Sequence, residues 1–278
     1  MSQRKIEAII PSDLVIDDGD MRLWRALPVN QRESLGPFVF LDHYRHQSQR
    51  GIGDSPHPHA GIEVISYLLE GSAEHRDSLG FRDTLGPGDA QHIRAGRGML
   101  HAEQPSGGRH GLQLWTSLPP SMKFAEPAYT AFRAADIPEI DLPGARVRVL
   151  AGTVNGKTGP MQNAQPTVFA HVMLSPGAQV TLAVDAEQLG FYVLEGAAEG
   201  PSGETLIPGS LGVFGPGDEI TLKAPAGQPA SIALLGGAPV EGELVFAGPF
   251  VMDTPENARR AQQDFLSGKM GRMEGVPF

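Results

Sequence analysis

His57-Pro58-His59 and His101-Ala102-Glu103 are the stretches whose reading decides the fold of this chain. In each, two metal-ligand types stand at i and i+2, and residues two apart on a β-strand point to the same face. Each triplet is therefore a two-toothed clamp on an extended strand. If the two strands run side by side in a curved sheet, three imidazoles and one carboxylate converge inside it as a donor set for a first-row metal. Around the triplets, apolar runs of strand length alternate with turn residues. Strands are expected over Glu63–Leu69, Ala73–Asp77, Phe81–Leu85, Ala90–Ile93, Met99–Gln104 and Leu112–Ser117. Ser78-Leu79-Gly80, Gly86-Pro87-Gly88-Asp89, Gly96-Arg97-Gly98 and Gly107-Gly108 separate them.

Composition agrees with an all-β chain. The 35 glycines and 24 prolines are scattered between short apolar runs, a density that suits strands and turns better than helices. At 278 residues the chain exceeds what one core usually supports, so two domains are expected. There is no cysteine, which excludes disulfides, thiolate metal sites and cysteine nucleophiles. With 32 acidic against 22 basic residues, a net charge of −10 and no Lys/Arg cluster, direct nucleic-acid binding is not expected. The opening residues hold only a short apolar run before Pro11, and no apolar run reaches the roughly 18 residues of a membrane span. A cytoplasmic protein without a membrane partner is expected. Asp17-Asp18-Gly19-Asp20 lacks the spacing of a calcium loop and is read as a hairpin turn.

The chain also repeats itself. Tyr67-Leu68-Leu69-Glu70-Gly71-Ser72-Ala73-Glu74 recurs as Tyr192-Val193-Leu194-Glu195-Gly196-Ala197-Ala198-Glu199, and Leu85-Gly86-Pro87-Gly88-Asp89 as Phe214-Gly215-Pro216-Gly217-Asp218. Two matches in the same order, at offsets of 125 and 129, indicate a duplicated β-domain divided here as 1–135 and 136–278. At those offsets His57, His59, His101 and Glu103 fall on Leu182, Val184, Ala230 and Ile232, and His171 is the second half's sole histidine. One barrel is expected to carry the metal and the other to be dry, stabilising or shaping its partner and offering a surface to other proteins.

Gly51-x5-His57-x-His59-x3-Glu63 resembles the first cupin motif, and Gly98-x2-His101 the core of the second. The closer resemblance is to the pirin family. It is carried by Phe40-Leu41-Asp42-His43, Pro56-His57-Pro58-His59, Tyr67-Leu68-Leu69-Glu70-Gly71 and Ala95-Gly96-Arg97-Gly98-Met99-Leu100-His101-Ala102-Glu103. Gly111-Leu112-Gln113-Leu114-Trp115 and Gly248-Pro249-Phe250-Val251-Met252 extend it. The chain departs from the generic cupin pattern in three places: seven residues separate Glu63 from Gly71, Gly96 stands where proline is usual, and no asparagine follows His101 at the fourth position. The resemblance implies two cupin-type (jelly-roll) β-barrels in tandem, a bicupin. In many cupins the carboxylate ligand is the one at the position of Glu63; in pirins it is the one in the His-x-Glu pair. Strand geometry agrees with the latter, so the expected metal ligands are His57, His59, His101 and Glu103, with Glu63, Gln113 and His43 as candidates to orient them.

By ligand softness alone this set suits Fe, Mn, Ni, Cu or Zn, and four protein ligands leave two octahedral positions open. The pirin resemblance implies iron, taken here as Fe(II), and an oxidoreductase that cleaves a flavonol such as quercetin with dioxygen. Glu103 is then the candidate catalytic residue as proton acceptor, although its role as a ligand is favoured. Met99, Leu100, Leu114 and Trp115 are candidates to wall a planar aromatic substrate. The resemblance equally implies a non-catalytic alternative, an iron-dependent redox sensor that binds a protein partner, transcriptional or metabolic; a metal isomerase or other cupin enzyme is a third reading. His43, His46, His92, His110 and His171 are read as ordinary structural histidines, and His75 with Asp77 as a solvated strand edge. After the second barrel, Thr254 as cap, Pro255 at the first position and Ala258, Ala261 and Phe265 on one face predict a helix over residues 255–267, ended by Gly268.

Overall fold

A computed structural model of the protein describes residues 2–48 and 51–273. The turn-punctuated first half forms β1 (Ile6–Pro11), β2 (Asp13–Asp17), β3 (Met21–Leu27), β4 (Phe38–His46), β5 (His57–His59), β6 (Ile62–Asp77), β7 (Arg82–Leu85), β8 (Ala90–Arg94), β9 (Met99–Ser117) and β10 (Ala128–Phe132). One sheet runs in the order β10-β8-β6-β9-β4-β3-β2, with β5 added on β9 and β7 on β6. At the β2–β3 turn, Asp18 Oδ1 accepts from the backbone N–H of Asp20 and Met21, the hairpin expected there.

β6 and β9 are longer than sequence patterning indicates, because each joins two expected strands. The turn anticipated at Gly107-Gly108 lies inside β9 instead. Pairing runs from Ile62↔Ser117 to Asp77↔His101, with slips at Leu68/Glu70 and Gly71/Ala73. Such bulges bend a strand and increase its twist, so one long pair can serve two walls of a barrel. Gly71 has φ +82° and a Cβ there would stand 2.1 Å from the Gly108 carbonyl oxygen, so the bulge needs glycine.

The duplication is visible in the backbone. The second half repeats the slip at Val193/Glu195, where the strand Gln188–Gly196 meets Ala230–Gly237. Gly196 has φ +74°, and a Cβ there would stand 1.8 Å from the Pro229 carbonyl oxygen, the role that Gly71 plays in the first half. Leu182, Val184, Ala230 and Ile232, the counterparts of the four candidate ligands, are buried in the hydrophobic core of this barrel.

The chain divides into two compact units. One takes in the chain up to Asp13, Trp24–Val39 and Ala135–Pro239; the other takes in Leu14–Leu23, Phe40–Ala134 and the chain from Val240. The two terminal segments belong to different units. β1 joins the C-terminal barrel's sheet beside Ser210–Phe214, which satisfies a strand edge. At the other end, the hairpin Val245–Ala247/Phe250–Met252 and helix α1 (Pro255–Leu266) belong to the metal-candidate half. Thr254 Oγ1 accepts from the Asn257 N–H as the cap of α1, and Gly268 follows it at φ +75°. Ala258 and Ala261 are buried with Ala60, Leu100 and Ala102, and Phe265 packs on the same cluster. Among the described residues no helix is long and apolar enough to cross a membrane.

Lys123 ties this C-terminal segment to the strand that follows the first histidine pair. Its buried Nζ donates to the carbonyls of Gly61 and Val251 and to Ser117 Oγ, at 3.0, 2.9 and 2.8 Å, and burial lowers its pKa to about 8. Gly61 sits at φ +75° with room for no side chain: a Cβ would stand 2.2 Å from Val251 O. Gly61→Ala should therefore destabilise the fold by more than the roughly 1–2 kcal/mol of the left-handed conformation alone. Chemical denaturation checks this; an unchanged midpoint would mean that the close approach does not constrain the fold.

Candidate metal centre

The three residues of β5 pair antiparallel with the start of β9, His57 opposite His101 and His59 opposite Met99. This is the side-by-side arrangement that the two triplets require. His57, His59 and His101 each bring one ring nitrogen within 4.8 Å of the others'. Ring centroids are 4.4 Å apart for His57 and His101, 4.9 Å for His57 and His59, and 5.1 Å for His59 and His101. His101 and His59 are buried, whereas His57 is partly exposed, so the cluster reaches solvent on the His57 side.

Backbone carbonyls set the tautomers. His57 Nδ1 stands 2.9 Å from Ser55 O and His59 Nδ1 stands 3.3 Å from Pro249 O. Donation to those carbonyls leaves each Nε2 as a lone pair, the form that a metal takes. Burial, reinforced by the neighbouring His57, lowers the His59 pKa to about 3. Burial holds His101 well below its ordinary value, with His57, His59 and His75 adding to the effect. His59 Nε2 and both nitrogens of His101 are buried without a hydrogen-bond partner. Orphaned buried acceptors are costly, and a transition metal is the group this donor set fits.

Glu103 stands beside the cluster, its Oε1 3.8 Å from His101 Nδ1. Its oxygens are already engaged. Oε1 accepts from Gln91 Nε2 at 2.6 Å and from Ser66 Oγ at 2.8 Å, and Oε2 accepts from Arg109 Nη1 at 3.1 Å. Gln113 is one step behind, its Oε1 2.7 Å from Ser66 Oγ. The single Ser66 proton is thus shared between two acceptors, Glu103 Oε1 and Gln113 Oε1; Ser66, Gln91 and Arg109 were not singled out by motif, and no local pattern marks them.

Other candidates lie elsewhere. Glu63 alternates to the opposite face of β6 from Ser66, where it accepts from Thr116 Oγ1 at 2.9 Å and meets His92 at 3.3 Å. His43 meets His110, Nε2 to Nε2 at 2.7 Å, and burial lowers the His43 pKa to about 3. Leu100, next to His101 on β9, points to the opposite face, into the apolar cluster that includes Ala258 and Ala261 of α1, and Leu114 is a buried core residue that pairs with Ile65. Trp115 meets His59 edge-on at 5.0 Å and stacks on Phe40 at 4.0 Å, forming an aromatic wall. His75 and Asp77 are not a solvated edge: both side chains are fully buried, 3.1 Å apart. β6 is flanked there by β7 and β9, so no edge exists. Asp77 also accepts from the N–H of Leu79 and Phe81, and His75 stacks on Tyr129. His171, in the other half, is satisfied by Ser231 Oγ at 2.8 Å.

The buried neutral imidazoles give the metal-free protein an acid dependence with a definite sign. His43 and His59 bind protons in the unfolded chain below pH 6.5 but in the folded chain only near 3. Stability should therefore fall as pH is lowered from about 6.5 towards 3, by up to about 1.4 kcal/mol per pH unit for each group. Denaturant titrations of the metal-free protein across that window should show a shallower slope for His59→Asn, and an equal slope would contradict the assignment.

The family profile described as Pirin matches residues 20–116, and that described as Pirin C-terminal cupin domain matches residues 169–271. A pirin-like protein of Solanum lycopersicum is 34% identical over 252 residues, covering 89% of this chain and 86% of the relative. The pirin of Homo sapiens is 32% identical over 277 residues, covering 97% and 95%. A crystal structure of a quercetin 2,3-dioxygenase from Acinetobacter baumannii superposes with a TM-score of 0.87 at 26% identity, covering 98% of this chain and 92% of that one. Two β-units with a repeated bulge, and a histidine cluster in the first, thus agree with the bicupin architecture, and the chain belongs to the pirin family.

Proposed function

We propose that this pirin-family protein holds a divalent transition metal, iron first among them, on His57, His59 and His101 with Glu103 as fourth ligand, and that it cleaves a flavonol such as quercetin with dioxygen. The observation that carries the reading is the convergence of three imidazoles, with His59 Nε2 and both nitrogens of His101 buried and without a hydrogen-bond partner. The likeness to a quercetin 2,3-dioxygenase over nearly the whole chain supports the substrate class. A metal bound there supplies a Lewis acid and a template for adjacent hydroxyl and carbonyl oxygens.

The chain's own residues supply the rest. His57 leaves the approach open on its side, and the stacked Phe40 and Trp115 offer a flat apolar wall beside His59 for a planar aromatic ring. Glu103, paired with Arg109, is the carboxylate beside His101 and the candidate to take the hydroxyl proton of the substrate where it is not a ligand. Ser66 and Gln91 aim its Oε1. The alternative, a metal-dependent regulator that binds a protein partner, uses the same site and draws on the net charge of −10, which suits a protein partner better than nucleic acid.

Metal analysis and oxygen uptake with a flavonol test these readings together. His59→Ala and His101→Ala should each stay folded and bind iron roughly tenfold or more weakly, while His171→Ala should match the wild type. Wild-type protein loaded with Fe(II) should consume oxygen and bleach the flavonol well above the His59→Ala control. Uptake equal to that control in protein that still binds iron would discard the dioxygenase and leave the regulator. Metal lost on His171→Ala would contradict the assignment of the site to the first half.

A further inference from the structure

Arg109 is the most constrained cation near the site. It lies six residues beyond Glu103 on β9, across the irregularity at Gly107-Gly108, and the two side chains are 1% and 4% exposed. Its fork is spent in three directions: Nε donates to His46 Nε2 at 3.1 Å, Nη1 to Glu103 Oε2 at 3.1 Å and Nη2 to the Ile52 carbonyl at 2.5 Å. The guanidinium carbon also sits 4.8 Å from the centre of the Tyr44 ring. A planar group held at all three nitrogens cannot follow its partner. The Glu103 backbone is fixed as well, its N–H donating to Gly53 O at 2.7 Å, so Glu103 can reach a metal only by swinging its carboxylate.

That swing has an electrostatic consequence. If Oε2 leaves Nη1, a buried guanidinium loses the carboxylate hydrogen-bonded to it, with Asp54 as a further negative charge acting on it, and a buried charge deprived of its partner is unfavourable. His46, the neighbour on Nε, cannot compensate, because it accepts from Arg109 as a neutral ring whose pKa burial and Arg109 both lower. We infer that Arg109 is a positioning residue that competes with the bound metal for Glu103, making the carboxylate a conditional fourth ligand on a fixed three-histidine platform. The inference rests on the metal-site reading above. It gives the site a setting of intermediate affinity: the attraction that Glu103 adds for a cation is largely offset by the ion pair that must be broken.

The test is a double-mutant cycle read by metal affinity rather than turnover. Co(II) is titrated into the metal-free wild type, Arg109→Met, Glu103→Gln and the double variant, with folding checked by circular dichroism and the visible Co(II) bands recording any change of ligand set. Arg109→Met should bind Co(II) at least about tenfold more tightly, equivalent to about 1.4 kcal/mol, with shifted bands. Glu103→Gln alone should change affinity little, and in the double variant both the gain and the band shift should vanish. Arg109→Lys, which retains the charge, should lie within roughly twofold of the wild type. If Arg109→Met fails to fold, Arg109→Gln takes its place with the same expectations. Unchanged or weaker binding in the folded Arg109 variant, or a gain that survives Glu103→Gln, would overturn the inference. Failure of the wild type to bind Co(II), or binding insensitive to His59→Ala, would instead remove the metal site on which it rests.

Discussion

Three backbone pairs between β5 and β9 hold the candidate site together, with His57 opposite His101 and His59 opposite Met99. A strand slip of one residue turns every side chain to the other face, so the meeting of the three rings depends on this register. The register depends in turn on what anchors β5. Gly61 lets the chain approach Val251, Lys123 bonds the carbonyls on both sides of that approach, and Pro249 O fixes the ring of His59. The C-terminal hairpin is thus a structural part of the histidine cluster although it lies some 190 positions away in the chain.

The second constraint is electrostatic. His59 and His101 are suited to a metal because burial lowers their pKa values, so protons do not compete for them at ordinary pH. The carboxylate is treated differently. Glu103 is already engaged in the interior by the Arg109 guanidinium, Gln91 and Ser66. Histidine nitrogens without partners and a carboxylate already ion-paired make the histidines the fixed part of the candidate site and Glu103 its conditional part. The duplicated half shows the other solution. With Leu182, Val184, Ala230 and Ile232 at the corresponding positions, it fills the interior with apolar side chains and needs no such balance.

Much of this was legible in the sequence because its signals are local. The i, i+2 spacing of His57/His59 and His101/Glu103 indicated clamps on strands, the repeated Leu-Glu-Gly and Gly-Pro-Gly-Asp turns indicated two barrels, and Thr254-Pro255 marked the start of α1. What could not be read is non-local. Joining of strands into β6 and β9 turns on whether Gly107-Gly108 makes a turn or a bulge, and glycine permits both. The burial of His75 and Asp77 follows from strands on both sides of β6, which local pattern does not reveal. Arg109 resembles any charged residue in a polar stretch until the fold sets it against Glu103. The crossing of the termini reflects which sheet edge needs a strand, a property of the whole fold.

Three imidazoles converging on one cation is the central claim, and X-ray absorption at the iron edge of the Fe(II)-loaded protein tests it most directly. Scattering from the imidazoles of His57, His59 and His101 is expected around a single iron per chain, with one imidazole fewer in His101→Ala. An iron shell of oxygen ligands alone, or one unaltered by His101→Ala, would contradict it.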